Sequence, residues 1–318
     1  MQTRKLGLNG PEISPIVLGG NVFGWTAGET ESFRILDSAL DLGLFTIDTA
    51  DVYSRWAPGH EGGESETVLG KWFAKGGRRN RVLLATKVGL EMGEGKSGLS
   101  ARYITQAIDN SLRRLQTDHI DLYFTHHDDP KTPLDETLEA LDKLLRDGKV
   151  RWIGASNYTG ARLAEAMEAS ARSGLASFVC LQPHYNLVAR KEFESDLLPV
   201  VEKYGLGVIT YFSLAAGFLT GKYRRGMDVS NVPRGRTIAA KYLNESGFAV
   251  VDALTEVAVT LQSTPSAVAL AWLLSRPGVT APIASVTRVS QLDDLAAAAR
   301  LQLDTTSLQR LNQVSAPA

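Results

Sequence analysis

Apolar residues along this chain fall into two alternating kinds of stretch. Short apolar or β-branched runs occupy Val17-Leu18, 44–48 (LFTID), 82–88 (VLLATKV), 121–127 (DLYFTHH), 151–156 (RWIGAS), 178–182 (FVCLQ), 207–212 (GVITYF) and 281–286 (APIASV), and runs of this kind are buried strands. Between them, segments such as 32–43, 103–115 and 134–150 space apolar residues three and four apart, as a helix with one buried face does. The punctuation agrees: Ser100 precedes one helix, Thr132-Pro133 opens another and Asp147-Gly148 closes it. Eight strands separated by helices run parallel. With no obvious edge strand, the pattern predicts an α/β fold closed into a (β/α)8 TIM barrel, with a doubly wound sheet as the alternative.

Two segments depart from the alternation. At the start, RKLGLNGPEISPIVLGG carries Asn9-Gly10 between short runs, which predicts a hairpin with a two-residue turn that caps one end of the barrel. Residues 221–247, rich in Gly, Arg and Ser, predict a long mobile loop before the eighth strand. Its Arg224, Arg225, Arg234, Arg236 and Lys241 read as a solvated basic face, with an indirect role toward cofactor phosphates as the alternative. No linker or low-complexity tract interrupts the chain, so 1–318 reads as one domain, a length that such barrels commonly use.

Composition narrows the partners. With 34 basic and 35 acidic residues the net charge is -1, so no global field would draw the chain to nucleic acid or to an anionic membrane. A hydrophobic fraction of 44% is that of a folded core. No secretory run opens the sequence and no stretch approaches the roughly 18 apolar residues of a membrane span, which makes the cytoplasm the expected location and a small molecule the expected partner. Cys180, the one cysteine, sits in an apolar run and reads as a buried thiol; a disulfide or multi-cysteine metal site is excluded.

In barrels of this class the chemistry gathers at the carboxyl ends of the strands. Asp48 ends the second run, Tyr53 follows in the connecting loop, Lys87 lies near the end of the third run and His126 near the end of the fourth. Each has a plain structural reading alone, but three consecutive parallel strands would bring the aspartate, lysine and histidine to one point, with the loop delivering a phenol. That set suits acid catalysis on a carbonyl. Tyr53 would donate the proton, Lys87 would lower its pKa, Asp48 would hold the buried ammonium and His126 would orient the carbonyl oxygen. The loops around this point offer Phe23, Trp25, Trp56 and His127 as walls of a substrate pocket.

The segments IDTADVYS, LLATKVG and DLYFTHH resemble the Asp, Tyr, Lys and His segments of the aldo-keto reductase superfamily. The resemblance continues through RWIGASNYTGARL, LQPHYNL, TYFSLAAGFLTGKY and PIASVTRVSQLDDL, in the family's order and over nearly the whole chain. It implies an NADP(H)-dependent oxidoreductase that reduces an aldehyde, ketone or sugar-like carbonyl to an alcohol, reversibly. Ser156, Asn157 and Gln182 would hold the nicotinamide carboxamide and Tyr211 would stack on the ring. Backbone N–H groups of the loop through Phe212, Ser213, Leu214 and Gly217 would wrap the pyrophosphate, with Lys222 adding charge. Ser285 and Arg288, with Gln291 on the following helix, would take the 2′-phosphate, and an arginine there favours NADP over NAD. Two departures stand out: the family's aromatic-Ser-Pro-Leu is Tyr211-Phe212-Ser213-Leu214, and Asp293-Asp294-Leu295 replaces its acidic-Asn pair.

The main competitor is a cofactor-binding regulatory subunit like the potassium-channel β-subunits, which resemble the same family and keep the four residues; the early start of the first hairpin, at about Thr3, argues against it. A Schiff-base lyase using Lys87 leaves the Arg288 region unexplained. Gly95-Lys96-Ser97 mimics a phosphate loop but has Leu90 where its first glycine belongs, and His126 to Asp129 make a poor metal site because neighbours on a strand face opposite sides.

Overall fold

The computed structural model describes residues 1–317. Arg4–Lys5 (β1) and Glu12–Ile13 (β2) pair antiparallel, ahead of Val17–Gly19 (β3), Thr46–Asp48 (β4), Leu83–Val88 (β5), Ile120–Thr125 (β6), Val150–Ser156 (β7), Cys180–Gln182 (β8), Gly207–Thr210 (β9) and Val279–Ala284 (β10). The last eight close into a barrel in the order β10-β3-β4-β5-β6-β7-β8-β9, every pair parallel. This is the (β/α)8 architecture that the alternation predicts.

Helices fill the crossovers: Glu29–Asp41 (α1), Glu64–Phe73 (α2), Ala101–Leu115 (α3), Leu134–Arg146 (α4), Gly160–Ser173 (α5) and Leu198–Tyr204 (α6). Ser100 caps α3 by accepting the Tyr103 N–H, and Gly148 follows α4 at φ +73°. The segment before β10 is not one loop. It carries Gly235–Lys241 (α7), Glu245–Thr260 (α8) and Pro265–Leu274 (α9), with Leu292–Ala298 (α10) and Thr305–Val314 (α11) after β10. Among the described residues, no single helix is long and apolar enough to cross a membrane.

Strand alternation sorts the core into two parts. Leu83, Ala85, Leu122, Phe124, Cys180, Ile209 and Ala281 point inward and fill the barrel, while the opposite faces join the larger core beneath the helices. Phe124 fits because Gly154 faces it: a Cβ at Gly154 would lie 2.5 Å from the ring and 2.8 Å from Cys180 Sγ.

The hairpin closes the amino end of this interior, since Leu6 and Ile13 are fully buried in the same inner cluster and the Leu8 N–H donates to Gly205 O, ahead of β9. Its turn differs from the expected Asn9-Gly10 pair. The Leu6 N–H donates to Pro11 O (2.9 Å) and Gly7 takes the positive φ (+65°), so the reversal spans Gly7 to Gly10. Pro11 has no N–H for the tighter pairing with Leu8. Leu6→Ala removes the plug's main buried side chain and is expected to lower unfolding free energy by about 2–5 kcal/mol in urea titrations.

Candidate active site

At the carboxyl end of the barrel, β4 presents Asp48 and β5 presents Lys87, both buried. Lys87 Nζ donates to Asp48 Oδ2 (2.6 Å), to Thr49 O (2.7 Å) and to the Tyr53 hydroxyl (2.9 Å). The Gln182 amide donates to Asp48 Oδ1 (2.9 Å), and the Tyr53 hydroxyl also lies 3.3 Å from Asp48 Oδ2. His126 follows β6 by one residue, and its ring stands edge-on to Tyr53 with centroids 6.0 Å apart. The four residues that the strand ends single out therefore meet at one point.

Electrostatics at that point correct one expectation. Burial, and then the Asp48 carboxylate, push the Tyr53 phenol well above its ordinary value; the Lys87 ammonium at 2.9 Å opposes that shift without reversing it. Asp48 at 2.6 Å offsets part of the ammonium's field, and desolvation of the phenolate dominates. Burial also pulls the Lys87 ammonium down, against the Asp48 charge that holds it up. Burial, then the Lys87 charge, pushes His126 well below its ordinary value. The site thus presents a neutral phenol and a neutral imidazole beside a compensated ion pair.

Asp48, Tyr53 and His126 form the floor of a cavity of about 580 Å³, with Lys87 buried behind them. Tyr211 forms one wall: its hydroxyl donates to Asn157 Oδ1 (2.6 Å), while His184 stacks against its ring at 5.4 Å and 16°. The Asn157 amide donates to His126 O (2.8 Å) and Ser156 Oγ (3.1 Å), an arrangement reached with Asn157 at φ +55°. Neither residue caps α5; Thr159 does. Further out, Phe212, Ser213, Leu214, Gly217, Lys222, Ser285 and Gln291 line the cavity. In this loop Phe212, Ala215, Ala216 and Gly217 all have positive φ. The Ala215 and Gly217 N–H groups are spent inside the turn, on Phe212 O (2.7 Å) and Leu214 O (2.8 Å), so the loop offers fewer free donors than expected.

The profile of the Aldo/keto reductase family matches residues 15–316. The chain belongs to the aldo/keto reductase family. It is 38% identical, over 99% of its length and 96% of the relative's, to the uncharacterized oxidoreductase YrpG of Bacillus subtilis. It is 31% identical to a putative voltage-gated potassium channel subunit beta of Schizosaccharomyces pombe, over 91% of this chain and 85% of that one. L-glyceraldehyde 3-phosphate reductase of Escherichia coli is 30% identical over 98% and 92% of the two chains.

Two expected pocket residues of this aldo/keto reductase lie elsewhere. Phe23 is fully buried in the outer core, where its carbonyl accepts the Ser54 hydroxyl (3.1 Å). His127 turns away from the cavity, its Nδ1 against the Asp128 carbonyl. Trp25 and Trp56 do line the cavity, edge to face at 5.6 Å, with Tyr53 5.9 Å from Trp56.

The structure adds Asn21 and, of the basic residues before β10, brings Arg234 to the cavity. Arg234 does not belong to a solvated face: it lines the cavity, donates to Asn21 Oδ1 (3.2 Å) and lies over the Trp25 ring (5.8 Å). Asn21 also accepts from Ser285 Oγ (2.7 Å). The sequence signal for Arg234 is its place between Pro233 and Gly235, apart from the Arg224-Arg225 pair. Arg288 is exposed beside this rim. Asp48→Asn leaves a buried ammonium without its counter-charge and should cost about 3–5 kcal/mol in chemical denaturation, whereas adding Lys87→Met should recover much of that loss.

Proposed function

We propose that the protein is an NADP(H)-dependent reductase of aldehydes, ketones or sugar-like carbonyls, with Tyr53 as the proton donor. The observation that carries this reading is the contact of the Tyr53 hydroxyl with Lys87 Nζ at 2.9 Å, on the floor of a cavity lined by Tyr211 and Asn157.

The residues present fit a dinucleotide phosphate. Arg234 and Arg288 both repel Lys222, whose ammonium is pulled down first by burial and then by those two charges. None of the three has an ion-pair partner among the described residues, and Arg234 is itself lowered by burial. Cations that crowd one side of a cavity with no carboxylate paired to them suit a ligand with several phosphates. Lys222 and Arg234 would hold the pyrophosphate, Ser285 and Arg288 the 2′-phosphate, Tyr211 the nicotinamide face, and Ser156, Asn157 and Gln182 its amide. When bound, NADPH supplies the hydride for the carbonyl carbon.

The chain's own residues manage the proton. The neutral Tyr53 donates its hydroxyl proton to the carbonyl oxygen as charge develops there, and Lys87 stabilises the phenolate left behind. Asp48 keeps Lys87 in place and balances its charge. The neutral His126 donates a ring N–H to the same carbonyl oxygen and orients it. Trp25 and Trp56 give the entrance apolar walls, which suit small carbonyl compounds.

The channel-subunit relatives support a second reading, in which the same cavity holds cofactor for a partner. Fluorescence titration with NADPH and NADH, followed by a screen of carbonyls including glyceraldehyde 3-phosphate for cofactor oxidation, separates the two. Turnover supports the reductase, NADPH binding without turnover supports the subunit, and failure to bind either nucleotide removes both. Tyr53→Phe is expected to lower kcat by about 100-fold or more while NADPH affinity stays nearly intact; equal turnover would take Tyr53 out of the acid role. Arg288→Ala should weaken NADPH by roughly tenfold and leave NADH binding unchanged in the same titration.

A further inference from the structure

Beside Lys87 lies a group of buried charges that the mechanism above does not use. Three carboxylates and two cations meet around the ends of β4 and β5. Lys87 is paired with Asp48 at 2.6 Å. Arg114 of α3 is paired with Glu66 of α2 at 2.7 Å, and Glu66 Oε1 accepts the Thr86 hydroxyl at 2.6 Å. Both cations are thus matched one to one. The third carboxylate, Asp51, is 2% exposed, and neither of its oxygens has a hydrogen-bond partner.

The groups facing Asp51 are Glu66 from α2, Arg114 and Tyr103 from α3, Lys87 from β5 and Tyr123 from β6. Glu66 repels a charge on Asp51. Arg114 and Lys87 attract it, but neither comes within ion-pair distance and each already serves another carboxylate. Burial is the largest influence and pushes the carboxyl up, against a smaller lowering influence from the neighbouring Val52 N–H. A buried carboxylate with no counterion and no well-formed hydrogen bond relieves its desolvation by taking a proton.

We propose that Asp51 is held as the neutral carboxylic acid in the folded protein and is a positioning residue for the Lys87–Tyr53 pair. The residue sits in the loop between Asp48 and Tyr53, and its own N–H donates to Lys87 O at 3.3 Å. While Asp51 is neutral, Asp48 alone balances Lys87. If Asp51 ionises, Lys87 faces a second anion and lends less support to the phenolate formed at Tyr53, so the reductive proton transfer slows. This kinetic half rests on the reductase reading of the site; the protonation half does not.

The test compares wild type with Asp51→Asn by urea unfolding between about pH 5 and pH 8. An unfolded aspartate ionises near pH 3.9, so above that value a neutral Asp51 makes folding take up one proton, and wild-type stability falls as pH rises towards the folded-state value. Relative to Asp51→Asn, the wild-type unfolding constant should rise about tenfold per pH unit. A ratio that does not change with pH overturns the proposal. If Asp51→Asn does not fold, carbon NMR of aspartate-labelled wild type decides: one carboxyl resonance should stay at its protonated position at neutral pH, and its absence overturns the assignment. In the pH profile of kcat, wild type should show an alkaline inflection that Asp51→Asn lacks; its persistence in the variant removes the positioning role. Should no carbonyl be turned over, the reductase reading fails separately, and unfolding still decides the state of Asp51.

Discussion

The ion pair between Lys87 and Asp48 is the interaction on which this site depends. An ammonium inside a barrel is tolerable only with a close counter-charge and further acceptors, and Lys87 has both, in Asp48 at 2.6 Å and Thr49 O at 2.7 Å. Those two acceptors direct Nζ, and the direction they set is the one that meets the Tyr53 hydroxyl. Gln182 then steadies the far oxygen of Asp48 from β8, across the barrel mouth. Removing charge from either partner changes the phenol's surroundings as well as stability.

The barrel supplies what that pair needs. Parallel strands put Asp48, Lys87 and Gln182 at one end in fixed register, and the closed interior behind them, filled by Phe124, Cys180 and Ile209, keeps the pair dry. The rim of the cavity is built by segments outside the strands. Asn21 joins the loop after β3, the end of β10 through Ser285 and the excursion before α7 through Arg234, so three distant parts of the chain share one carboxamide oxygen.

Much of this was legible in the sequence because strand-end residues announce themselves: Asp48, Lys87 and His126 close apolar runs, and the eight runs predict the barrel that contains them. The illegible parts have physical causes. An aromatic side chain in a loop after a strand, such as Phe23, can face a cavity or the core, and its position in the sequence does not distinguish the two. Arg234 looked like one of several solvated arginines, and only the fold of the excursion turns it inward. Asn157 at φ +55° and the left-handed run from Ala215 to Gly217 lie outside any apolar pattern; asparagine permits such a backbone without requiring it, and alanine gives no sign of it. The net direction of the Tyr53 shift was not legible because the sequence names a neighbouring cation without showing the burial and the Asp48 carboxylate that outweigh it.

The hairpin at the amino end has a consequence for how such a protein can change. With Leu6 and Ile13 stoppering the base, the cohesion of the barrel is anchored at the pole opposite the chemistry. Loops at the open rim can lengthen, shorten or exchange side chains without loosening the stave ends that the stopper grips. The molecule is a cask with a fixed bottom and a replaceable lid, so new tastes in small molecules can be acquired at the rim while the vessel itself stays tight.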